Sequence, residues 1–458
     1  MTLVITGCSA LTMAEKPFIK NATIIIEGAE ISEIGPANEV TIPSGADTIR
    51  LGNYHVMIPA LINSHTHASM TLLRGYADDL PVVEWLNTKI FPLEAQLKPD
   101  DIYLGTKLAC VESMLGGTTC MNSMYHMMQN EARAIAEAGI RGVVGHVCFD
   151  WRKDHDIKET TALASKWHGK ADGRVRISVD PHATYTVSPD YWIELKELTE
   201  DLNRRYGQNG TIAIHTHLAE TGFEEGTTIE YLKSKDIDPN GYNLSKESGI
   251  FAYLDEMGFF NSSVETCPHV TAAHSVALRK ADFAVITKYQ GKIAVAHCPV
   301  SNLKLGSGIA PLPELMARNV PVGLGTDGCA SNNTLDMIET MKLTALIHKG
   351  IAKRADIVKA EEALKMATTG RAIHWEDLGE LRAGFLADIA VLNLKKPHLL
   401  PVHDIMGHIV YSAGRSDVEH VICNGELVVE NGIPLKVNTQ ELFEQIEDTK
   451  EDILSRIS

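Results

Sequence analysis

Two stretches of the chain carry one tripeptide: Leu61–Met70 reads LINSHTHASM, and Ala213–Thr221 reads AIHTHLAET. Side chains alternate along a strand, so histidines two residues apart share a face. His65 and His67 therefore point the same way, and two neutral imidazoles so placed can hold one divalent metal. His215 and His217 also share a face, one layer apart, and Glu220 follows His217 by three residues. The tripeptides could build one centre, two centres, or a centre and a coincidence.

The scaffold decides between these. Eight short, apolar, β-rich segments follow one another: VMIPALINSHTH, GTTCMNSMY, RGVVGHVCFD, VRISVDPHATYT, GTIAIHTHLAE, HVTAAHSVA, KIAVAHCPVSN and VPVGLGTDG. Helical stretches separate most of them. The clearest is SPDYWIELKELTEDLNRRYG, with Ser188 as N-cap and Pro189 at the first helical position. Trp192, Leu195, Leu198 and Leu202 form its apolar face. Eight strands alternating with helices predict an α/β fold, a (β/α)8 TIM-type barrel. The rival is a doubly wound sheet, but no Gly-rich dinucleotide fingerprint follows the first strand.

Active sites of barrels sit at the C-terminal strand ends. Those ends carry His65 and His67, His182, His217 with Glu220, His274, His297 and Asp327. A catalytic zinc-type site needs three protein ligands or slightly more, with one position open to water. His65, His67 and His217 supply three, with His215 deeper and in a supporting place. Asp327, in GLGTDGCASNN, supplies the remaining one. Asp-Gly is also a common turn, but here it closes the eighth strand, opposite His65 and His67. The expectation is one centre, fed by both tripeptides.

Residues 1–57 read as short strands, including a hairpin around Glu27-Gly28, and 385–458 read likewise, with the hairpin signal Asn424-Gly425. Neither set makes a stable domain alone. They are expected to pair into one small β-sandwich flanking a barrel of residues 58–384, with a last helix from Asn438 to Ile457. VITGC near the start resembles a lipoprotein cleavage box, but lacks the charged start and apolar run of one, so it reads as a strand. The formal charge of −17, with no Lys/Arg cluster, argues against nucleic acid polymers and anionic membranes. Eight scattered cysteines without a C-x-x-C suit a reducing cytoplasm and no thiolate zinc site. No apolar run reaches bilayer length. A cytoplasmic homo-oligomer acting on a small molecule is expected.

At NSHTHASMTLLRGYADDLPVVEWL, IFPLEAQL, IHTHLAET, HCPVSNLKLGSGIAP, LGTDGCASNN and GFLADIAVL, the chain resembles the amidohydrolase superfamily. Within it, the resemblance is to the methylthioadenosine/S-adenosylhomocysteine deaminase branch, related to the triazine hydrolases, and it spans nearly the whole chain. That resemblance implies a barrel with a terminal β-sandwich. It implies His65, His67, His217 and Asp327 as ligands of one divalent metal, with Zn2+ favoured by ligand type. It further implies Glu220 as proton shuttle, His274 as polarising group, Glu94 as holder of ribose hydroxyls and His182 as a substrate contact. Binuclear branches use a bridging carboxylated lysine; none stands near the end of the fourth strand. Two departures stand out. The stretch YLKSKDIDPNGYNLSKESGIFAYL after the fifth strand is long and could cover the pocket. The two arginines that clamp an amino-acid tail in the branch align loosely with His146 and Lys158, with Arg152 close by.

The implied reaction is hydrolytic deamination of adenosine, 5′-deoxyadenosine, 5′-methylthioadenosine or S-adenosylhomocysteine to the inosine analogue and ammonia. A pterin, guanine or s-triazine losing an amine or a halide is the alternative the same site could serve. A non-catalytic metal-binding scaffold would have no use for Glu220 and His274 around an open metal position. Arg74 reads as a structural ion pair.

Overall fold

The computed structural model describes residues 2–80, 82–260 and 264–457, with the side chains of residues 82, 83 and 457 left aside. The β-branched N-terminal run forms β1 (Thr2–Leu11), β2 (Phe18–Glu27), β3 (Glu30–Pro36), β4 (Asp47–Arg50) and β5 (His55–Pro59). VITGC lies inside β1, with Cys8 buried. Next come the barrel strands β6 (Leu61–Thr66), β7 (Thr118–Tyr125), β8 (Arg141–Cys148), β9 (Val175–Pro181), β10 (Ile214–Leu218), β11 (Val270–His274), β12 (Ile293–His297) and β13 (Val322–Leu324). The chain ends through β14 (Ile389–Asn393), β15 (Val418–Cys423), β16 (Glu426–Glu430), β17 (Ile433–Pro434) and a helix over Thr439–Ile457.

Strands β6 to β13 form one parallel sheet in sequence order. Bonds across its two edges close it. The Asn63 amide donates to Thr326 Oγ1 at 2.7 Å and its Oδ1 accepts from Thr326 N at 3.1 Å. Thr66 Oγ1 donates to the Asp327 carbonyl at 2.9 Å, and Asp327 N donates to the His65 carbonyl at 3.0 Å. Glycine is required here: a Cβ on Gly325 would fall 2.9 Å from the His65 carbonyl oxygen. The seam thus sets Asp327 beside His65, residues 262 positions apart in sequence.

The remaining nine strands come from both ends of the chain and form one mixed sheet, ordered β17-β16-β15-β14-β5-β1-β2-β3 with β4 on β1. Strand β1 forks, pairing with β4 near Val4 and with β5 near Ala10. Leu3, Ile5, Ile24, Met57, Ile389 and Ile422 share a core between the two halves. The strands from both ends, expected to pair into a small β-sandwich, thus form one continuous sheet. A buried ion pair joins it to the barrel: Arg141 Nη2 meets Asp388 Oδ1 at 2.9 Å and also reaches Asn424 Oδ1 at 2.7 Å. The first expected segment, VMIPALINSHTH, crosses between the sheets at Ala60, whose N–H donates to the Asp388 carbonyl at 3.0 Å.

The helix Pro189–Tyr206 buries Trp192, Leu195 and Leu202 completely and Leu198 in part. Ser188 makes no side-chain cap; Asp150 instead accepts from its N–H at 3.1 Å and its hydroxyl at 3.0 Å.

Candidate active site

The ends of four barrel strands bring histidines and one aspartate together. His65 lies in β6 and His67 just after it, both on the inner side. His217 lies in β10, held by its N–H on the His182 carbonyl at 3.1 Å. His274 ends β11 and Asp327 follows β13, both with left-handed backbones, φ +71° and +62°. Such backbone conformations cost non-glycine residues energy and cluster at functional sites.

Each ring is oriented by a bond at Nδ1, which leaves Nε2 for the centre. His67 Nδ1 reaches the Met124 carbonyl at 2.6 Å, His217 Nδ1 the His182 carbonyl at 2.9 Å, and His65 Nδ1 the His215 Nε2 at 2.8 Å. His274 Nδ1 meets Asn302 Oδ1 at 2.8 Å. Asp327 Oδ1 stands 3.5 Å from His65 Nε2 and 3.2 Å from His67 Nε2. Donors about 2.1 Å from a tetrahedral ion lie about 3.4 Å apart. The ligand atoms of His65, His67 and His217 all fall within 4.8 Å of one another, as do those of His65, His274 and Asp327. His65 Nε2 is buried with no hydrogen-bond partner, a cost that a ligated cation would remove. Three nitrogens and one carboxylate oxygen suit a borderline metal such as zinc. The residues fit the group.

Electrostatics agree with that use. Burial lowers His65 to about 4, and burial together with His182 holds His217 well below the usual range, so both rings favour the neutral form that a metal ligand needs. Burial works against ionised Asp327, but the imidazoles of His65 and His67 beside it win and hold it well below the carboxylate range. Its second oxygen accepts from Ser301 Oγ at 2.6 Å and Ser331 Oγ at 2.9 Å. Behind His67, Ser123 Oγ accepts from Ala68 N at 3.0 Å and also meets Glu131, which is wholly buried.

Burial raises Glu131 from 4.5 to about 7. A carboxyl raised on folding gives stability that is whole below about pH 4.5 and lost as pH climbs through about 7. Glu131→Gln keeps the neutral shape at every pH. It should match the parent near pH 4.5 and exceed it by roughly 3 kcal/mol at pH 8. Urea unfolding of the metal-free proteins at both pH values checks this; an equal gap at both would refute it.

One cavity adjoins the centre. Its wall carries His67, His182, His217, Glu220, His274 and Asp327, with Glu94 across from them. Trp85, Leu86 and Phe91, from the segment after β6, supply much of its apolar cover. Glu94 accepts from Tyr125 Oη at 2.6 Å, and burial pushes it up to about 7. Burial also raises Glu220, whose backbone N–H is held by Glu224 Oε2 at 2.8 Å. His182 Nδ1 pairs with Thr186 Oγ1 at 2.9 Å. Seven of the residues expected at the site thus line one space, and the eighth, His65, is buried beside His67 and Asp327.

The chain from residue 56 to residue 428 matches the model of the amidohydrolase family. It belongs to that family. A "5-methylthioadenosine/S-adenosylhomocysteine deaminase" of Syntrophomonas wolfei is 38% identical over 446 residues, covering 96% of each chain. A "5'-deoxyadenosine deaminase" of Methanosarcina mazei is 37% identical over 462 residues, covering 100% of this chain and 99% of the relative. Among solved structures, a zinc-bound adenosine deaminase of Xanthomonas campestris superposes with a TM-score of 0.87 at 28% identity, covering 99% of this chain and 98% of that one.

This amidohydrolase differs from its sequence reading in three places. The long stretch after β10 lines neither the cavity nor its side chamber. Ile250, Phe251, Tyr253 and Leu254 at its end are buried, so the stretch packs into the outer layer. His297 faces His348 at 3.4 Å, away from the cavity. The side chamber, sharing Phe91, Glu94, Tyr125, His126 and Phe149 with the cavity, is lined by Arg152 and His146 but not Lys158. Arg152 Nη2 is paired with Asp156 Oδ1 at 3.0 Å, and His146 Nε2 meets the same oxygen at 3.0 Å. Arg74 pairs with Glu112. Ser301, Ser331 and Tyr125 were missed as supports, although the first two stand in the quoted motifs.

Proposed function

We propose that this amidohydrolase deaminates an adenosine-type nucleoside to the inosine analogue and ammonia, using one Zn2+ held by His65, His67, His217 and Asp327. The observation that carries the reading is a single cavity joining His67, His217 and Asp327 to Glu94 and to Glu220, whose carboxyl burial raises. When bound, a divalent cation supplies Lewis acidity that lets a water at the site lose its proton near neutral pH. Asp327 takes that proton, its Oδ2 already fixed by Ser301 and Ser331. Glu220, whose acid form burial favours, gives a proton to the purine N1 as oxygen bonds to C6. His274 stabilises the charge that develops at the reacting oxygen. A proton then passes to the exocyclic amine, the C6–N bond breaks, and ammonia leaves. Glu94 holds the ribose and His182 contacts the substrate.

A panel of adenosine, 5′-deoxyadenosine, methylthioadenosine, adenosylhomocysteine, guanine, pterins and triazines, read by ammonia release, tests this. The nucleosides should be turned over by protein containing one metal ion per chain. Turnover confined to a pterin or triazine would move the chain to the alternative reaction. Two ions per chain, both required, would defeat the mononuclear centre.

A further inference from the structure

Under the site lies Asp180, in β9, wholly buried, with Ser178 near it but neither carboxyl oxygen in a well-formed hydrogen bond. Room for it is built in: a Cβ on Gly145 of β8 would fall 1.8 Å from Asp180 Oδ2. Opposite stands His215 Nδ1, 3.8 Å from Asp180 Oδ2 and likewise without a hydrogen-bond partner. About 1 Å of approach brings the two into hydrogen-bond range.

We propose that Asp180 is a positioning residue that, through His215, fixes the tautomer of His65 needed to bind the metal. The inference rests on the metal-ligand reading above. A histidine that offers Nε2 to a cation carries its proton on Nδ1. His65 Nδ1 then donates to His215 Nε2 across 2.8 Å, and His215 must keep its own proton on Nδ1. Asp180 is the acceptor that faces this proton. In the opposite arrangement, His215 donates from Nε2 and His65 carries its proton on Nε2, blocking the ligand atom. With Asp180 ionised, a bare His215 Nδ1 would then face a carboxylate oxygen, lone pair against lone pair. Acceptors behind a ligating imidazole orient it and set its tautomer; here the support runs through two rings in series.

Asp180→Ala and Asp180→Leu remove the acceptor; Asp180→Asn keeps a carbonyl oxygen there. Zinc affinity measured by competition with a chromophoric chelator should fall about 10- to 100-fold for Ala and Leu and stay within about threefold for Asn. The metal-free Ala and Leu proteins should melt no lower than the parent, because an unpartnered buried carboxyl has been removed. A purely structural role would lower melting temperature and affinity together. Parental affinity in either folded acceptor-free variant, or an Asn variant as weak as Ala, overturns the proposal. His65→Ala separates the two layers of inference: if it leaves zinc affinity intact, the ligand reading fails; if it abolishes binding while Asp180→Ala does not, only the relay fails.

Discussion

Glu220→Gln is expected to lower kcat by at least about a hundredfold while the protein keeps its metal. Glutamine fills the same space but cannot deliver a proton to the ring nitrogen. Glu220 is absent from both groups of mutually close donors, His65 with His67 and His217, and His65 with His274 and Asp327, so metal content should not change. The pH profile adds a second readout. An acid raised by burial acts while protonated, so its contribution is present below its pKa and lost as pH rises through it. The parent should therefore show an alkaline fall in kcat that the Gln variant lacks. Glu224, itself raised by burial to about 8, grips the Glu220 backbone and holds the loop in place. Loss of metal together with activity would make Glu220 a ligand and overturn its role.

The alternation of strands and the ligand-type residues at their ends were readable because both follow local rules. Strand side chains alternate, so His65 and His67 declare a shared face before any fold is known. Barrel closure then brings Asp327 to them, and the barrel itself follows from eight repeats of one pattern. What stayed hidden depends on partners far apart in sequence. Ser301 and Ser331 matter only because the seam carries Asp327 between them. Asp180 reads as part of an apolar strand until Gly145 and His215 are placed beside it. Strands β5 and β6 merge in the sequence because both are apolar and only Ala60 separates them. The stretch after β10 suggested a lid by its length, whereas the apolar residues at its end, Ile250, Phe251, Tyr253 and Leu254, are buried in the outer layer.

Substrates with an intact ribose should outrun free adenine by about tenfold to a hundredfold in kcat/KM. Glu94 accepts one bond from Tyr125 on Oε1, and a 2′,3′-diol can supply the other donors. A substrate without the diol leaves a half-buried carboxylate short of partners, at a cost of roughly 1 to 3 kcal/mol. Glu94→Ala should erase most of the gap between nucleoside and base, chiefly through KM. Since burial places Glu94 at about 7, nucleoside KM should rise as pH falls through that value and the carboxylate becomes protonated. A ribose held by Glu94 would place its 5′ group near the side chamber that shares Glu94, where Arg152 already serves Asp156 and so offers little net charge to a carboxylate. Methylthioadenosine and 5′-deoxyadenosine should therefore be preferred to the zwitterionic tail of adenosylhomocysteine. Comparable rates on adenine and methylthioadenosine would remove the ribose argument. A clear preference for adenosylhomocysteine would show that Arg152 leaves Asp156 to clamp the tail.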